Sequence, residues 1–313
     1  MPRTKIALIG GGQVGGNIAL LAAQKELGDI VIIDIPEAEN FIKGKALDIS
    51  QLLPHDGFDS KLVGSSDFQE IKDSDVVVIT AGFPRQPGMN REDLLSKNLS
   101  IMTNVANQVK EHAPDAFVIV VSNPLDAMVY AFHKVSGFAK NKVVGMAGIL
   151  DTARFRSFLA AELNVSVTNV SAYVLGGHGD SMVPLIGSTS VGGVPVSSLI
   201  KPDRLEEIVQ RTRDGGAEIV SLLKTGSAYY APSAASAQMV ESILLDKKEI
   251  LPCAAFLEGE YGINNLYAGV PIKLGASGVE EIIQVDLTEE ESIALKNSAD
   301  SVQELIEIME KNA

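Results

Sequence analysis

A glycine-rich turn between two short apolar runs is the feature that most restricts how this chain can fold. The first run, Lys5 to Ile9, is followed directly by GGGQVGG. Within that stretch Gly10, Gly12 and Gly15 have the spacing G-x-G-x-x-G. Alanines and leucines then recur at helical intervals from Asn17 to Leu27. This order predicts a strand, a tight glycine turn and a helix.

A second apolar run completes the pattern and indicates a ligand. Ile30 to Ile33 ends in Asp34, which lies 19 positions (34 − 15) after Gly15. In such a unit the first glycine permits the turn, the second lets the main chain approach a pyrophosphate, and the third lets the helix pack on the strand. The helix N-terminus offers unpaired N–H groups to the phosphates. We therefore predict dinucleotide binding by Gly10, Gly11, Gly12, Gln13, Val14, Gly15 and Asp34.

The acid at the end of the second run indicates which dinucleotide is preferred. The Asp34 carboxylate can accept hydrogen bonds from a ribose diol, and its charge would repel a 2′-phosphate. No Lys or Arg occurs in residues 35–42 to reverse this preference. We therefore expect NAD, and not NADP, as the cofactor.

Composition bounds the class of protein and its location. Single cores stop growing at about 250 to 300 residues, so 313 residues with 46% apolar content suit two modest domains. No stretch reaches the roughly 18 consecutive apolar residues of a membrane span, and we expect no leader peptide, since MPRT runs directly into the first predicted strand. The single cysteine, Cys253, is expected to be a small buried residue. We expect a cytoplasmic protein without a metal site.

The net charge of −14 argues against nucleic acid and anionic membranes as partners, since both prefer a basic face. If the substrate is an anion, a few arginines must create a local positive field against the global charge. Arginines near the glycine turn and in the second half are therefore candidate site residues.

Strands and helices alternate over residues 1–145. Extended runs occur at 5–9, 30–33, 61–64, 75–80, 117–121 and 142–145, and helical patterns at 17–27, 38–53, 91–112 and 125–135. Pro54 is expected to end the second helix. The alternation predicts an α/β, doubly wound parallel sheet, a Rossmann dinucleotide-binding domain, with its ligand beyond the carboxyl ends of the strands.

Residues 146–313 follow a different order and predict an α+β substrate domain. Helical patterns occupy 149–163, 204–223, 231–245 and 289–311, the second of them interrupted at Gly215-Gly216. Extended runs occupy 171–175, 250–257, 267–273 and 279–285, and residues 183–195 are expected to form a hairpin.

One histidine of the four is framed by glycines. His178 lies in the run GGHGD, where small neighbours leave space for a substrate beside the ring. An imidazole exchanges a proton near neutral pH, as a hydride-transferring enzyme requires. A turn histidine that bonds only to its own loop is the alternative, and spacing alone leaves both interpretations open.

Three arginines are placed where an anion could bind. Arg85 lies in a loop, residues 81–90, that contains two prolines and two glycines, and Arg91 follows this loop directly. Arg154 follows Asp151 by three positions in a predicted helix, so the two can share one face. A guanidinium can hold a carboxylate through two parallel hydrogen bonds. Because most surface arginines are only solvated, position alone leaves each role open.

Six sequence runs resemble the lactate/malate dehydrogenase family, in its bacterial, lactate-dehydrogenase-like branch of NAD-dependent malate enzymes. They extend over nearly the whole chain in the family's order and are GGGQVG, ITAGFPRQPGMNREDLL, SNPLD, GILDTARFRSFLA, LGGHGDSMVP and SAYYAP. The resemblance implies reversible oxidation of (S)-malate to oxaloacetate with NAD. It also implies a homo-oligomer, a dimer or a tetramer.

The resemblance assigns the proton exchange and the substrate contacts. It implies that His178 accepts the proton from the malate hydroxyl, or returns it to the oxaloacetate carbonyl. Asp151 matches the acid that orients the imidazole and favours its charged form. Arg154 matches the arginine that clamps the carboxylate beside the reacting carbon, and Arg91 the one that polarises the carbonyl.

The same resemblance assigns contacts around the cofactor. Asn123 resembles the asparagine that bonds the substrate oxygen and the cofactor region, while Asn98 and Val121 resemble cofactor contacts. The loop of residues 81–90 would be a mobile lid that closes over the substrate and excludes water.

Arg85 resembles the residue that selects the substrate, since lactate enzymes of the family usually have Gln there. A closed lid over a dicarboxylate requires a cation, whereas Arg85 closed over pyruvate would be buried and unpaired. A lactate dehydrogenase remains the nearest alternative. An NAD-binding regulator without catalytic activity is an alternative of another class. An NAD- and metal-dependent glycosidase is disfavoured, because this sequence contains no metal-ligand cluster.

Overall fold

The structure is a computed structural model that describes residues 3–83 and 91–311, without the side chains of residues 91–93. In the first half, strands and helices alternate as the sequence predicts. They are β1 (Lys5–Ile9), α1 (Gln13–Gln24), β2 (Asp29–Ile33), α2 (Glu39–Asp56), β3 (Leu62–Ser65), β4 (Val76–Ile79), α3 (Arg91–His112), β5 (Phe117–Val120), α4 (Leu125–Ser136) and β6 (Val143–Gly145).

The second half begins with a helix and continues with short strands and then longer ones. Its elements are α5 (Gly148–Leu163), β7 (Val170–Ser171), β8 (Val174–Leu175), β9 (Val183–Pro184), β10 (Ser190–Val191), β11 (Val194–Pro195), α6 (Pro202–Leu223), α7 (Tyr230–Leu244), β12 (Glu249–Glu258), β13 (Asn264–Gly275), β14 (Gly278–Ile282) and α8 (Glu289–Lys311).

The first six strands form the parallel sheet that the alternation predicts. Their spatial order is β3-β2-β1-β4-β5-β6, and every pairing among them is parallel. The connections change direction between β1 and β4, which are neighbours in the sheet. In a doubly wound sheet, ligands bind outside the carboxyl ends of the strands at this point. The glycine turn after β1 and the loop after β4 both begin there.

Three strands of the second half extend the same sheet with antiparallel pairing. β12 lies beside β6, where Ala254 pairs with Gly145, and β13 and β14 follow it to the edge. The larger hydrophobic core accordingly contains buried side chains from both halves, from Ile6 to Met309. A smaller core surrounds Phe155 and Leu159. The predicted division at residue 145 stays a prediction.

Three local predictions are wrong. Pro54 lies inside α2, where it removes only the hydrogen bond to residue 50, and the helix ends at Gly57, whose left-handed φ of 77° permits the stop. The predicted strand 171–175 is two strands, β7 and β8, which belong to different small sheets. The predicted hairpin 183–195 is confined to β10 and β11, because β9 pairs with β8.

The interruption predicted at Gly215-Gly216 is also absent, since α6 is continuous from Pro202 to Leu223. A Cβ on Gly215 would lie 3.1 Å from Cδ of Arg154. The missing side chain therefore leaves room for an arginine of α5 and does not end the helix.

Candidate active site

In the glycine turn after β1, Gly10 and Gly15 pack tightly against the chain, whereas Gly12 faces open space. Gly10 has φ +109°, and a Cβ there would lie 2.7 Å from the nitrogen of Ala81. A Cβ on Gly15 would lie 1.9 Å from the oxygen of Gly10, so only glycine allows this approach of helix and turn. A Cβ on Gly12, at the N-cap of α1, would meet nothing within 4 Å. The turn therefore presents an open face at a helix N-terminus, where phosphate binds well.

Lys45 of α2, which no sequence motif points to, holds the main chain of this turn. Its Nζ donates to the carbonyl oxygens of Gly11 at 2.8 Å and Gly12 at 2.6 Å. Because the N–H and C=O of a trans peptide point in opposite directions, the N–H groups of Gly12 and Gln13 face away from Lys45. Burial lowers the pKa of the Lys45 ammonium, and the charge of Asp34 opposes that shift.

Asp34 follows β2 and braces the same turn. One carboxylate oxygen accepts the N–H of Gly11 at 2.7 Å, and the other accepts the N–H of Ile35 at 2.8 Å. Each carboxylate oxygen has a second lone pair, so Asp34 can still accept hydrogen bonds from a ribose. Its part in cofactor choice stays a prediction.

The residues predicted beside the cofactor at β5 lie close to one another. Val121 is buried directly after β5, and Asn123 is exposed in the loop that follows. Asn98 of α3 is only 3% exposed. Its amide donates to the carbonyls of Asn123 at 2.6 Å and Phe83 at 3.2 Å, and its oxygen accepts the N–H of Phe83 at 2.6 Å. Asn98 thus ties the loops after β4 and β5 together, and its contact with the cofactor stays a prediction.

The structure brings His178, Asp151 and Arg154 together. The loop after β8 carries His178, whose Nδ1 lies 2.8 Å from Oδ2 of Asp151 in α5. The other oxygen of Asp151 accepts from Nη1 of Arg154 at 3.0 Å, one turn along the same helix. Asp151 is 1% exposed, so these two partners compensate its buried charge. Because Nδ1 is engaged, Nε2 is the ring nitrogen that can exchange a proton with a substrate.

The surroundings of His178 favour its protonated form. Burial by itself would lower the pKa of the imidazole, because it disfavours the charged ring. The charge and hydrogen bond of Asp151 act in the opposite direction, and Arg154 partly offsets them. The pKa of His178 is raised above its ordinary value as a result. Such a ring carries a proton more often at neutral pH, which suits donation to a carbonyl oxygen.

Two side chains from other helices hold the main chain of the His178 loop. Oδ2 of Asp126, the second residue of α4, accepts the N–H of His178 at 3.0 Å. Oγ of Ser298 in α8 accepts the N–H of Gly177 at 2.8 Å. Sequence reasoning assigned neither residue a role. For Asp126 a signal existed, because it ends the run SNPLD, whereas Ser298 lies in a helix without a motif.

Arg154 borders a cavity of about 290 Å³ between α5 and α6. Its Nε is buried and has no hydrogen-bond partner among the described residues. Phe158 and Ile219 provide apolar walls beside it. A larger cavity, about 570 Å³, lies at the opposite end of the sheet, near the first residues of β1 and β4, and no predicted site residue lines it. Size alone therefore does not identify the site.

Two predicted substrate contacts cannot be placed. Arg85 and most of the loop 81–90 lie outside the described residues. Arg91 begins α3, but its side chain is also outside the described set. The assignments of both arginines, and of the lid, stay predictions.

Cys253 is fully buried in β12, as expected, and burial raises the pKa of its thiol. Within residues 3–83 and 91–311, no group of three or more His, Cys, Asp or Glu side chains is arranged to hold a metal ion. No helix in those ranges has the length and apolar content needed to span a membrane.

Two protein-family descriptions match consecutive parts of the chain. Residues 4–145 match the lactate/malate dehydrogenase NAD binding domain. Residues 149–313 match the lactate/malate dehydrogenase alpha/beta C-terminal domain.

Individual relatives match over nearly their full length. The malate dehydrogenase of Rhodopirellula baltica is 57% identical over 310 residues, 99% of this chain and 98% of its own. That of Myxococcus xanthus is 56% identical over 305 residues, 97% of each chain.

Solved structures of two kinds match equally well. The malate dehydrogenase of Cryptosporidium parvum gives a TM-score of 0.95 at 44% identity, covering 99% of each chain. The lactate dehydrogenase of the same organism, complexed with lactic acid and nicotinamide adenine dinucleotide, also gives 0.95, at 47% identity and 99% coverage of each chain. The shape of the backbone therefore does not separate these two activities.

Proposed function

The chain belongs to the lactate/malate dehydrogenase family, and from this premise we propose that it catalyses the reversible, NAD-dependent oxidation of (S)-malate to oxaloacetate. The observation that carries the proposal is the contact of 2.8 Å between Nδ1 of His178 and the buried carboxylate of Asp151. It orients a proton-exchanging ring next to an arginine that can bind a carboxylate. Full-length relatives named malate dehydrogenase support malate as the substrate.

The glycine turn fits NAD. Gly12 leaves an open face at the N-terminus of α1, and the N–H groups on that face point away from Lys45. Asp34 can accept hydrogen bonds from the ribose, and Gln13 and Val14 begin the helix that faces the phosphates. Bound NAD supplies the acceptor for the hydride.

His178 carries the proton of the reaction at Nε2. In malate oxidation the neutral ring takes the hydroxyl proton while the C–H bond of the same carbon gives up its hydrogen with both electrons. The C–O bond becomes a carbonyl, and the new imidazolium is stabilised by Asp151. In oxaloacetate reduction the imidazolium returns that proton to the oxygen.

The arginines provide the counter-charge for the substrate. Arg154 binds the carboxylate next to the reacting carbon, and Arg91 polarises the carbonyl. Arg85 binds the distal carboxylate, which pyruvate lacks. Two negative charges under a closed lid are stable only beside cations, and Arg85 without a carboxylate partner would disfavour pyruvate.

An assay of oxaloacetate and pyruvate side by side, with NADH and with NADPH, tests the proposal. We expect strong preference for oxaloacetate and NADH in the unaltered protein. Arg85→Gln should lower kcat/KM for oxaloacetate by roughly 100-fold or more, because the distal carboxylate loses its charged partner, and should not lower that for pyruvate. Arg85→Lys keeps the charge but not the paired hydrogen bonds. Its kcat/KM for oxaloacetate should therefore lie between those of the unaltered protein and Arg85→Gln.

The outcomes separate the rival functions. Preference for pyruvate in the unaltered protein would indicate a lactate dehydrogenase, which the Cryptosporidium parvum lactate dehydrogenase structure makes the second candidate. Equal losses for both substrates in Arg85→Gln would remove Arg85 as the selecting residue. NADH binding without turnover of either acid would indicate a non-catalytic regulator.

We further propose a homo-oligomer, a dimer or tetramer, in the cytoplasm. Phe41 and Leu47 on α2 are 58% and 60% exposed, and Tyr230 on α7 is 70% exposed, so both helices carry apolar side chains that a second subunit could cover. The buried, single cysteine suits a reducing compartment. Light scattering after size-exclusion chromatography measures the assembly state, and a monomer at micromolar concentration would contradict it.

A further inference from the structure

His178 lies between two buried carboxylates that come from different helices. Asp151 of α5 engages the ring, and Asp126 of α4 accepts the main-chain N–H of His178 at 3.0 Å. Asp126 is 5% exposed, and its second oxygen, Oδ1, has no hydrogen-bond partner among the described residues. A Cβ on Gly177 would lie 3.4 Å from Oδ2 of Asp126, so the loop packs directly on the carboxylate.

Among the residues whose side chains the structure describes, the charges around the ring are balanced only when His178 is protonated. Asp151 and Arg154 form a contact of 3.0 Å and cancel each other. Asp126 is then the buried negative charge that the imidazolium balances. With a neutral ring the cluster holds one uncompensated buried charge, which is costly. The groups that face the loop from α8 and β13 are uncharged, namely Ser298 and Gly269, and Asp180, later in the loop, is exposed.

We propose that Asp126 is a positioning residue, which fixes the main chain at His178 and, through its buried charge, favours the protonated imidazole. Its effect on turnover rests on the proposed function, but its effect on the ring does not. Burial raises the pKa of Asp126 to about 6, and the hydrogen bond and charge of His178 act against that rise. The carboxyl is therefore mostly ionised at neutral pH, where the charge is needed.

Asp126→Asn separates charge from hydrogen bonding. Asparagine keeps an oxygen that accepts the N–H of His178 but carries no charge. We expect the pKa of His178 to fall by on the order of one unit. Titration of the imidazole by NMR in the full-length protein without substrate measures this, and four histidines keep the spectrum simple. Ser298→Ala is the matched control, because it removes the neighbouring loop contact without changing charge, and it should leave the His178 titration unmoved.

The same variant should shift the pH profiles of catalysis. Malate oxidation needs the neutral ring, so the acid limb of its kcat/KM profile should move to lower pH by the same amount. Oxaloacetate reduction needs the charged ring, so its alkaline limb should also move to lower pH. Above the pKa of His178, each pH unit by which that pKa falls should make reduction roughly tenfold slower than in the unaltered protein.

An unmoved His178 titration in Asp126→Asn, or an equal change in Ser298→Ala, overturns the proposal. If Asp126→Asn does not fold, the reciprocal measurement decides. His178→Asn keeps the main-chain N–H, so the carboxyl of Asp126, followed by carbon-13 NMR, should titrate at higher pH, and an unchanged titration overturns the proposal. A lowered His178 pKa in a protein that turns over neither acid supports this inference and contradicts the proposed function instead.

Discussion

Asp151 has two charged partners and almost no contact with solvent, which makes it the residue on which the state of His178 most depends. Burial by itself lowers the pKa of the ring, and Asp151 supplies the opposing contribution. The carboxylate also engages Nδ1, which leaves Nε2 for the substrate. Orientation and charge are thus provided by one side chain.

Asp151→Asn should therefore lower activity and shift its pH dependence in a defined direction. We expect the pKa of His178 to fall, because the largest contribution that opposes burial is lost and only that of Asp126 remains. The alkaline limb of oxaloacetate reduction and the acid limb of malate oxidation should both move to lower pH. Reduction at pH 8 should lose at least about 100-fold in kcat/KM, on the order of the contribution of general acid catalysis.

Initial rates of both directions between pH 5 and 9 measure this, with circular dichroism as the folding control. Limbs that move to higher pH, or a variant with unaltered rates, would show that Asp151 does not govern the ring.

Some residues of the site could be predicted from the sequence and others could not. His178 stands out in the sequence because glycines frame it, and Asp151 and Arg154 stand out because they lie three positions apart on a predicted helix. Asp126 and Lys45 act on main-chain groups of distant segments, His178 in one case and the glycine turn in the other. Such contacts depend on how elements pack, so no local spacing indicates the contact itself, although Asp126 belongs to the run SNPLD.

At the scale of elements, the turn between β1 and α1 contains glycines that the fold requires, such as Gly15, and a glycine that only a ligand requires, Gly12. The Cβ of Gly15→Ala would collide with the oxygen of Gly10 at 1.9 Å. The Cβ of Gly12→Ala would meet nothing in the chain within 4 Å. The two substitutions therefore test packing and ligand approach separately.

Gly15→Ala should lower the free energy of unfolding by about 1 to 3 kcal/mol, since backbone atoms must shift. Gly12→Ala should change it by less than about 1 kcal/mol yet weaken NADH binding by roughly tenfold or more, because the methyl group occupies the face where the phosphates approach. Urea unfolding and calorimetric NADH titration provide the two measurements. Undiminished NADH affinity in Gly12→Ala would contradict the assignment of the turn.

The sequence predicts most helices and strands, but two helix breaks that it predicts are absent. Pro54 falls in the last turn of α2, where few helical bonds remain to be lost, so the helix continues to Asp56. Gly215 lies in the middle of α6 and makes room for Arg154. A proline near the end of a helix therefore need not stop it, and a glycine within a helix can be present to make room for a side chain of a neighbouring helix.

For the whole molecule, the decisive feature is a sheet that runs through both halves of the chain. The sequence predicts the six parallel strands because their apolar runs are continuous. It does not predict that β12 to β14 join this sheet, because the packing of the whole chain decides which strands pair. The junction between β12 and β6 consists of the pairing of Ala254 with Gly145. The two halves consequently share one larger core.

A shared core predicts a single unfolding transition. Thermal unfolding followed by far-ultraviolet circular dichroism and by tyrosine absorbance should give coincident curves, as the chain has six tyrosines and no tryptophan. NADH at about 100 times its Kd should stabilise the whole transition by about 2.7 kcal/mol. Two separate transitions, of which NADH moves only one, would show that the halves unfold independently.

In the proposed reaction His178, oriented by Asp151, exchanges a proton with a dicarboxylate held by arginine. A crystal structure of the full-length protein with NADH and a non-reacting dicarboxylate analogue of oxaloacetate tests it most directly. We expect Nε2 of His178 at about 3 Å from the analogue's keto-equivalent oxygen, with Arg154 on the adjacent carboxylate and a second guanidinium on the distal one. An imidazole turned away from that oxygen, or a distal carboxylate without a guanidinium partner, would contradict it.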